Sequence, residues 1–329
     1  MGGCLSKRNT NMGSNQEKGT QTYIAGHNIA EADQTSSYTS EYSTDTDKVT
    51  LPKEREFHHV KTSTYWLPKD DDERMRLTGQ HFALKEIFEG NVLPHITKTL
   101  NFNSGVSILD VGCGPGAWVM DMIDDYPNCT YEGCDIVNVI GVNAMPKQFT
   151  FTMANVLEGL PYPDNSFDFV HMRLFIYALK KEEWPIAVKE LLRVTKPGGF
   201  VQLMETDNPI PKHTGTPIYR VMVALHAICK ERGQNPFVGR ELEELLTKSG
   251  NVKIVESRAL PFDTTTGTNA AKSLAWTLVE FVKGGMTMLG PMLGLKDDHE
   301  KQSFIKEFKK CLTNTYGELK ICAVAAQKM

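Results

Sequence analysis

The 329-residue chain has no excess of positive charge: 36 Lys and Arg stand against 40 Asp and Glu, a net charge of −4. Nucleic-acid binding depends on neutralising phosphates, so this balance disfavours a nucleic-acid partner while leaving room for a local basic patch. The seven cysteines, at positions 4, 113, 129, 134, 229, 311 and 322, include no C-x-x-C pair. That argues against a zinc ribbon or a disulfide framework and suits a reducing, cytoplasmic setting. No secretory signal is evident. Long apolar runs are also missing: the most apolar stretch, Trp276 to Leu295, is interrupted by Glu280, Lys283 and several glycines. It reads as a buried or cleft-lining helix and not as a membrane span.

Apolar residues are scarce before Thr50, where Ser, Thr, Asn, Gln and Gly dominate. Residues 1–50 are therefore expected to be a disordered tail. Its first eight residues, Met1-Gly2-Gly3-Cys4-Leu5-Ser6-Lys7-Arg8, match an acylation pattern. Gly2 would take a myristoyl chain and Cys4 a palmitoyl chain, with Lys7 and Arg8 touching anionic lipid. Peripheral membrane contact through this end is the expectation that follows, and a chance match in a disordered tail is the alternative.

Beyond the tail, the chain divides into a helical cap at about 51–105 and a longer α/β region at 106–329. In the cap, Pro68 followed by Asp70, Asp71, Asp72 and Glu73 suits a helix start. From Val106 onward, β-prone runs near 106–111, 129–135, 148–153, 167–172, 199–205, 251–259 and 318–327 alternate with helical patterns. The helical patterns fall near 115–126, 182–195, 216–232 and 239–249. Such alternation predicts a mostly parallel sheet with helices on both faces. A segment at about 264–315, before the last strand, reads as a helical insert.

The first strand ends in Asp110-Val111-Gly112-Cys113-Gly114-Pro115-Gly116-Ala117, and a helix opens directly after it. Gly112, Gly114 and Gly116 allow a tight turn and a close backbone approach to a ligand, and the turn N–H groups with the helix end would favour negative charge. Asp135 closes the second strand about 20 residues on, where a ribose-binding acid belongs in a nucleotide-binding βαβ unit. This much leaves NAD and S-adenosylmethionine both open. Asp110 favours the second, because a carboxylate there repels a pyrophosphate and attracts an ammonium group.

Two further segments follow in order. Leu160-Pro161-Tyr162-Pro163-Asp164-Asn165-Ser166-Phe167-Asp168-Phe169-Val170 leads into a strand, and Leu191-Leu192-Arg193-Val194-Thr195-Lys196-Pro197-Gly198-Gly199-Phe200-Val201 is a helix end, a turn and a strand. With the glycine turn, these resemble the class I S-adenosylmethionine-dependent methyltransferases over about Val106 to Asp207. The entry segment, Tyr65-Trp66-Leu67-Pro68 with its acidic-arginine helix and Gln80-His81, resembles a fungal subfamily linked to control of secondary metabolism.

The resemblance implies a Rossmann-like fold with a seven-stranded sheet, the last strand antiparallel, and S-adenosylmethionine as cofactor. It places Gly112, Gly114 and Gly116 under the methionine portion, with Asp110 orienting the turn or meeting the ammonium. Asp135 would take the ribose hydroxyls and Ile136 the adenine face, with Asn155-Val156 at the adenine amino group. Arg173, at the end of the fourth strand, would pair with the cofactor carboxylate or a substrate acid. His171 reads either as a general base or as a hydrogen-bonded core histidine. Glu205 and Asp207 would orient a substrate amine or hydroxyl, and Tyr65, Arg76 and His81 would close the cleft from the cap. Methyl transfer to O, N or C of a small-molecule acceptor is the favoured reading, since cap and insert suggest an enclosed pocket. A protein methyltransferase and a cofactor-binding regulatory scaffold without transfer are the alternatives. An NAD oxidoreductase is disfavoured by Asp110.

Overall fold

The computed structural model describes residues 51, 55–60, 63–140, 145–261, 263–314 and 319–329. The expected tail, with Gly2 and Cys4, lies outside them. Strands β1 (Ser107–Val111), β2 (Thr130–Asp135), β3 (Phe149–Met153), β4 (Phe167–Arg173), β5 (Thr195–Asp207), β6 (Val252–Pro261) and β7 (Lys320–Lys328) form one sheet in the order 3-2-1-4-5-7-6. The first five run parallel, and β7 lies antiparallel between β5 and β6.

The central strands alternate apolar residues between the two faces of the sheet. Ile108, Phe169 and Phe200 pack into one core, while Leu109, Val170 and Val201 pack into the other. A parallel sheet covered on both faces has no polar side to show. Helix α3 (Ala117–Asp125) contributes Trp118, Val119 and Met122 to the first core, and α4 (Trp184–Val194) contributes Trp184, Val188 and Leu191 to the second. Cys129 and Cys134 are buried in these cores.

The cap consists of α1 (Asp71–Phe88), the short α2 (Pro94–Thr99) and a 3-10 turn at Phe102–Ser104. Asp70 caps α1 by accepting a hydrogen bond from the Glu73 N–H and is itself held by Arg55 through two bonds of 2.6 and 2.8 Å. Gln202, on β5, fixes the α1–α2 link to the sheet: its Oε1 accepts from the Leu93 N–H and its Nε2 donates to the Asn91 carbonyl. Helices α5 (Pro217–Glu231) and α6 (Leu242–Ser249) follow β5, and the insert holds α7 (Asn269–Gly284), α8 (Met286–Met292) and α9 (Asp298–Asn314).

One expected turn is different. Lys196-Pro197-Gly198-Gly199 lies inside β5 as an irregularity, because the β4–β5 register jumps from Phe167↔Thr195 to Phe169↔Phe200. Gly198 takes φ of +79°, and a Cβ on Gly199 would stand 2.8 Å from the Asp168 carbonyl oxygen. Both glycines let the chain gain extra residues without leaving the sheet.

Candidate active site

The carboxyl ends of β1, β2 and β4 open onto a cavity of about 190 Å³, at the point where the strand order reverses. Its wall includes Gly112, Gly114, Asp135, Ile136, Asn155, Val156 and Arg173, seven residues singled out from sequence. Tyr65, Glu73, Leu77 and Gln80 from the cap close it on another side.

The glycine turn is bent around its own hydrogen bonds. The N–H groups of Gly112 and Cys113 both donate to the Cys134 carbonyl, and that of Gly116 donates to the Cys113 carbonyl. Gly114 donates to Asp135 Oδ2 at 3.0 Å, while Val137 donates to Oδ1 at 3.2 Å. The turn was expected to offer free N–H groups to an anion; these four are already engaged. Burial pushes the Asp135 carboxyl up to about 6, against the backbone donors that favour its charge. A pyrophosphate would therefore meet a carboxylate and spent donors, which separates this turn from a dinucleotide cradle.

Lys69 and Arg74 in this wall are paired with Glu56 and Asp71, which singles out Arg173. Among the described residues it forms no ion pair, and its guanidinium donates to Nδ1 of His81 at 3.2 Å. Arginine only donates, so His81 accepts at Nδ1 and carries its proton at Nε2, which donates to Asp121 at 3.0 Å. Burial lowers His81 to about 4, consistent with a neutral ring between a guanidinium and a carboxylate. Burial also lowers Arg173, the direction expected for a desolvated cation without a paired anion.

Five other predicted residues stand off the cavity. Gly116 caps α3 with φ of +81° and does not line the wall. Asp110 and His171 are register partners on β1 and β4, so their side chains leave the same sheet face side by side. Asp110 Oδ1 lies 2.8 Å from His171 Nδ1, and the His171 ring stacks on Trp118 at 4.1 Å. Burial lowers His171 despite the carboxylate. It is a core histidine in this structure, and Asp110 faces it instead of a ligand. Glu205 is also turned inward: it accepts from the N–H groups of Phe175 and Ile176 at 2.5 and 3.2 Å, and burial pushes it up to about 8. It shapes the turn after β4. Asp207, expected at the cleft edge, is engaged by two bonds from Arg240. Asn155 accepts from the Leu157 N–H and donates to Glu158, leaving its oxygen one further lone pair.

A second cavity, about 120 Å³, adjoins the first and shares Tyr65, Leu77, Gln80 and Leu174 with it. The cap, α5, α7 and α9 supply most of its wall. At the shared end lies a buried ion pair on α1: Arg76 donates to both oxygens of Glu73 at 2.9 and 2.6 Å, and the Tyr65 hydroxyl reaches Glu73 at 3.4 Å. Sequence reasoning named Tyr65 and Arg76 but missed Glu73 and Gln80. The spacing 73, 76, 77, 80 puts them on one helix face and was the available signal.

Residues 108–199 match a family model described as a methyltransferase domain. The strand order 3-2-1-4-5-7-6 with β7 reversed is the arrangement that the class I resemblance implied. The secondary metabolism regulator laeA of Coprinopsis cinerea is 31% identical over 155 residues, covering 46% of this chain and 38% of that protein. Methyltransferase grgD of a Penicillium species is 32% identical over 154 residues, covering 44% of this chain and 53% of that protein. Methyltransferase str2 of Strobilurus tenacellus is 27% identical over 204 residues, covering 60% of this chain and 70% of that protein. The chain thus spans about two fifths to half the length of the first two relatives.

The methyltransferase domain fits S-adenosylmethionine on its own residues. A part-buried guanidinium without an ion pair among the described residues, Arg173, suits the carboxylate of the methionine portion. Asp135 keeps acceptor capacity beyond its two backbone donors and suits a ribose diol. Gly114, whose missing Cβ would find only Leu77 at 3.8 Å, leaves the wall open for close approach.

Proposed function

We propose that the chain transfers a methyl group from S-adenosylmethionine to a small-molecule acceptor seated in the second cavity. The observation that carries this reading is the pair of adjoining cavities. One has an unpaired cation and a carboxylate at the strand ends, and the other has an apolar wall, with Tyr65 and Gln80 common to both. The bound cofactor would supply an activated methyl group. What remains for the chain is to orient the acceptor and exclude water, and orientation of that kind lowers a barrier by about 7–11 kcal/mol. Glu73 and Asp135 are the carboxylates of the first wall, and Glu73 meets the second through its bonds to Arg76 and Tyr65. With Asp135 assigned to the ribose, Glu73 is the group to receive a proton from an acceptor hydroxyl or amine, directly or through the Tyr65 hydroxyl that already reaches it.

The test uses the full chain with methyl-labelled cofactor and an extract split into small-molecule and protein fractions. Label in the small-molecule fraction is the expected result. Label confined to protein would favour a protein methyltransferase, and tight S-adenosylhomocysteine binding without transfer would favour a regulatory scaffold. Acylation at Gly2 and Cys4, with peripheral membrane contact, is a separate proposal carried by the sequence pattern alone. Intact mass of chain made in a eukaryotic cell decides it, unmodified Gly2 being the result against it.

A further inference from the structure

The second cavity is selective in its chemistry. Arg76 is the lone Asp, Glu, Lys, Arg or His in its described wall, and both carboxylate oxygens of Glu73 already neutralise it. A charged acceptor would give up its hydration there without a counter-ion, which strongly disfavours it. Rings are prominent: Tyr177 and Phe281 stack with centroids 5.5 Å apart, and Phe308 lies on the same wall. Such a wall suits a flat, unsaturated molecule.

The polar groups of the wall are mostly engaged. The Thr264 hydroxyl donates to the Leu312 carbonyl at 2.6 Å, and the Asn208 amide donates to the Tyr177 hydroxyl at 3.4 Å. Thr277 differs. It sits on α7, is 1% exposed, lines the cavity, and its hydroxyl has no hydrogen-bond partner among the described residues. Its neighbours along the helix, Leu274, Leu278 and Phe281, are apolar, so nothing local calls for a hydroxyl. An unsatisfied buried hydroxyl is destabilising, a cost that a valine at the same place would avoid.

Resting on the reading of this cavity as the acceptor site, we propose that Thr277 is a specificity residue: it hydrogen-bonds a neutral oxygen or nitrogen of an uncharged, ring-containing acceptor. The acceptor is held by the apolar walls, with its polar atom fixed at α7 and its reacting end toward Tyr65 and Gln80.

The test is a matched set of one-ring probes, p-cresol, p-xylene, 4-methylbenzoate and 4-methylbenzylammonium, titrated by NMR against the full chain saturated with S-adenosylhomocysteine. In wild type, p-cresol should bind at least tenfold more tightly than p-xylene, and neither ion should bind measurably. Thr277→Val should bring p-cresol within twofold of p-xylene while leaving the S-adenosylhomocysteine affinity unchanged; Thr277→Ser should retain the preference. Binding of either ion as tight as p-cresol overturns the proposal without any variant. So does binding of none of the probes, or a hydroxyl preference that survives in Thr277→Val. Should Thr277→Val not fold, as its S-adenosylhomocysteine titration would show, Thr277→Ser and the wild-type series still decide. Failure of S-adenosylhomocysteine to bind wild type would instead count against the methyl-transfer reading, since the probe series can be read with or without it.

Discussion

The two cavities are built in opposite ways. The wall of the first comes largely from one stretch of chain, Val111 to Leu179, and its form is set by backbone: three glycines at positive φ and N–H groups folded back on the Cys134 carbonyl and Asp135. The wall of the second is side chains, brought from Tyr65, from α1, from α5 and from the insert past residue 264. A backbone-built site tolerates little change in shape and suits a ligand that never varies. A side-chain-built site can be altered one residue at a time, which is how one domain class comes to serve many acceptors.

The largest test of that contrast lies at the joint between the cavities. Arg76 and Glu73 are 3% and 2% exposed. Removing one partner strands a buried charge, so Glu73→Ala should cost about 3–5 kcal/mol of stability in urea denaturation. The paired change Glu73→Leu with Arg76→Met should recover most of it. Equal losses in the single and double variants would mean that the pair carries more than mutual compensation.

Glu205 sharpens the backbone side. Burial holds it neutral up to about 8, against 4.5 for an ordinary glutamate. Folding therefore takes up a proton between these values, and stability should fall as pH rises from 4.5 to 8, by on the order of a few kcal/mol at ~1.4 kcal/mol per unit. Glu205→Gln cannot titrate and should show a flatter profile over that window. Parallel profiles for wild type and variant would remove Glu205 as the source.

Gly112 probes the close packing of the turn. Its φ is +68°, and a Cβ would stand 2.2 Å from the ring of Phe175, whose backbone N–H is held by the Glu205 carboxyl group. Gly112→Ala should lose about 2–4 kcal/mol through strain and overpacking, together with cofactor affinity. Gly215, with φ of +81° but nothing within 4 Å of a Cβ, is the control: alanine there should cost less.

Much of the first cavity was legible in sequence because its determinants are local. Strand, glycines, helix start and strand-end acid fall within Val106 to Asp135, and their spacing carries the geometry. The strand boundaries were found to within a few residues for the same reason. What stayed hidden depends on register and distant packing. Asp110 and His171 are 61 positions apart, and that they face each other follows from the β1–β4 pairing, which no local pattern encodes. Glu205 looked like a cleft residue from its place near the end of β5, but it turns inward to the N–H groups after β4. Thr277 carries no motif at all; only the assembled wall shows that its hydroxyl lacks a partner.

The smallest expected effect concerns Asp135, where backbone and ligand compete for the same carboxylate. Two N–H groups hold it, and burial still raises it to about 6. A ribose diol donates hydrogen bonds, so it is matched by the ionised form, which accepts only. In the free protein the carboxyl is mostly protonated below its own pKa, and the ligand must then displace a proton to bind. S-adenosylhomocysteine affinity should accordingly be flat above about pH 7 and weaken as pH falls through 6, approaching tenfold per unit below it. Asp135→Asn cannot ionise; it should bind about 1.5–3 kcal/mol more weakly at pH 8, the scale of a hydrogen bond to a charged group, and lose this pH dependence. Calorimetric titration at pH 5, 6, 7 and 8 reads both effects. A wild-type affinity that stays level down to pH 5, with the asparagine variant equally tight, would mean that Asp135 serves the turn alone and that the ribose is held elsewhere.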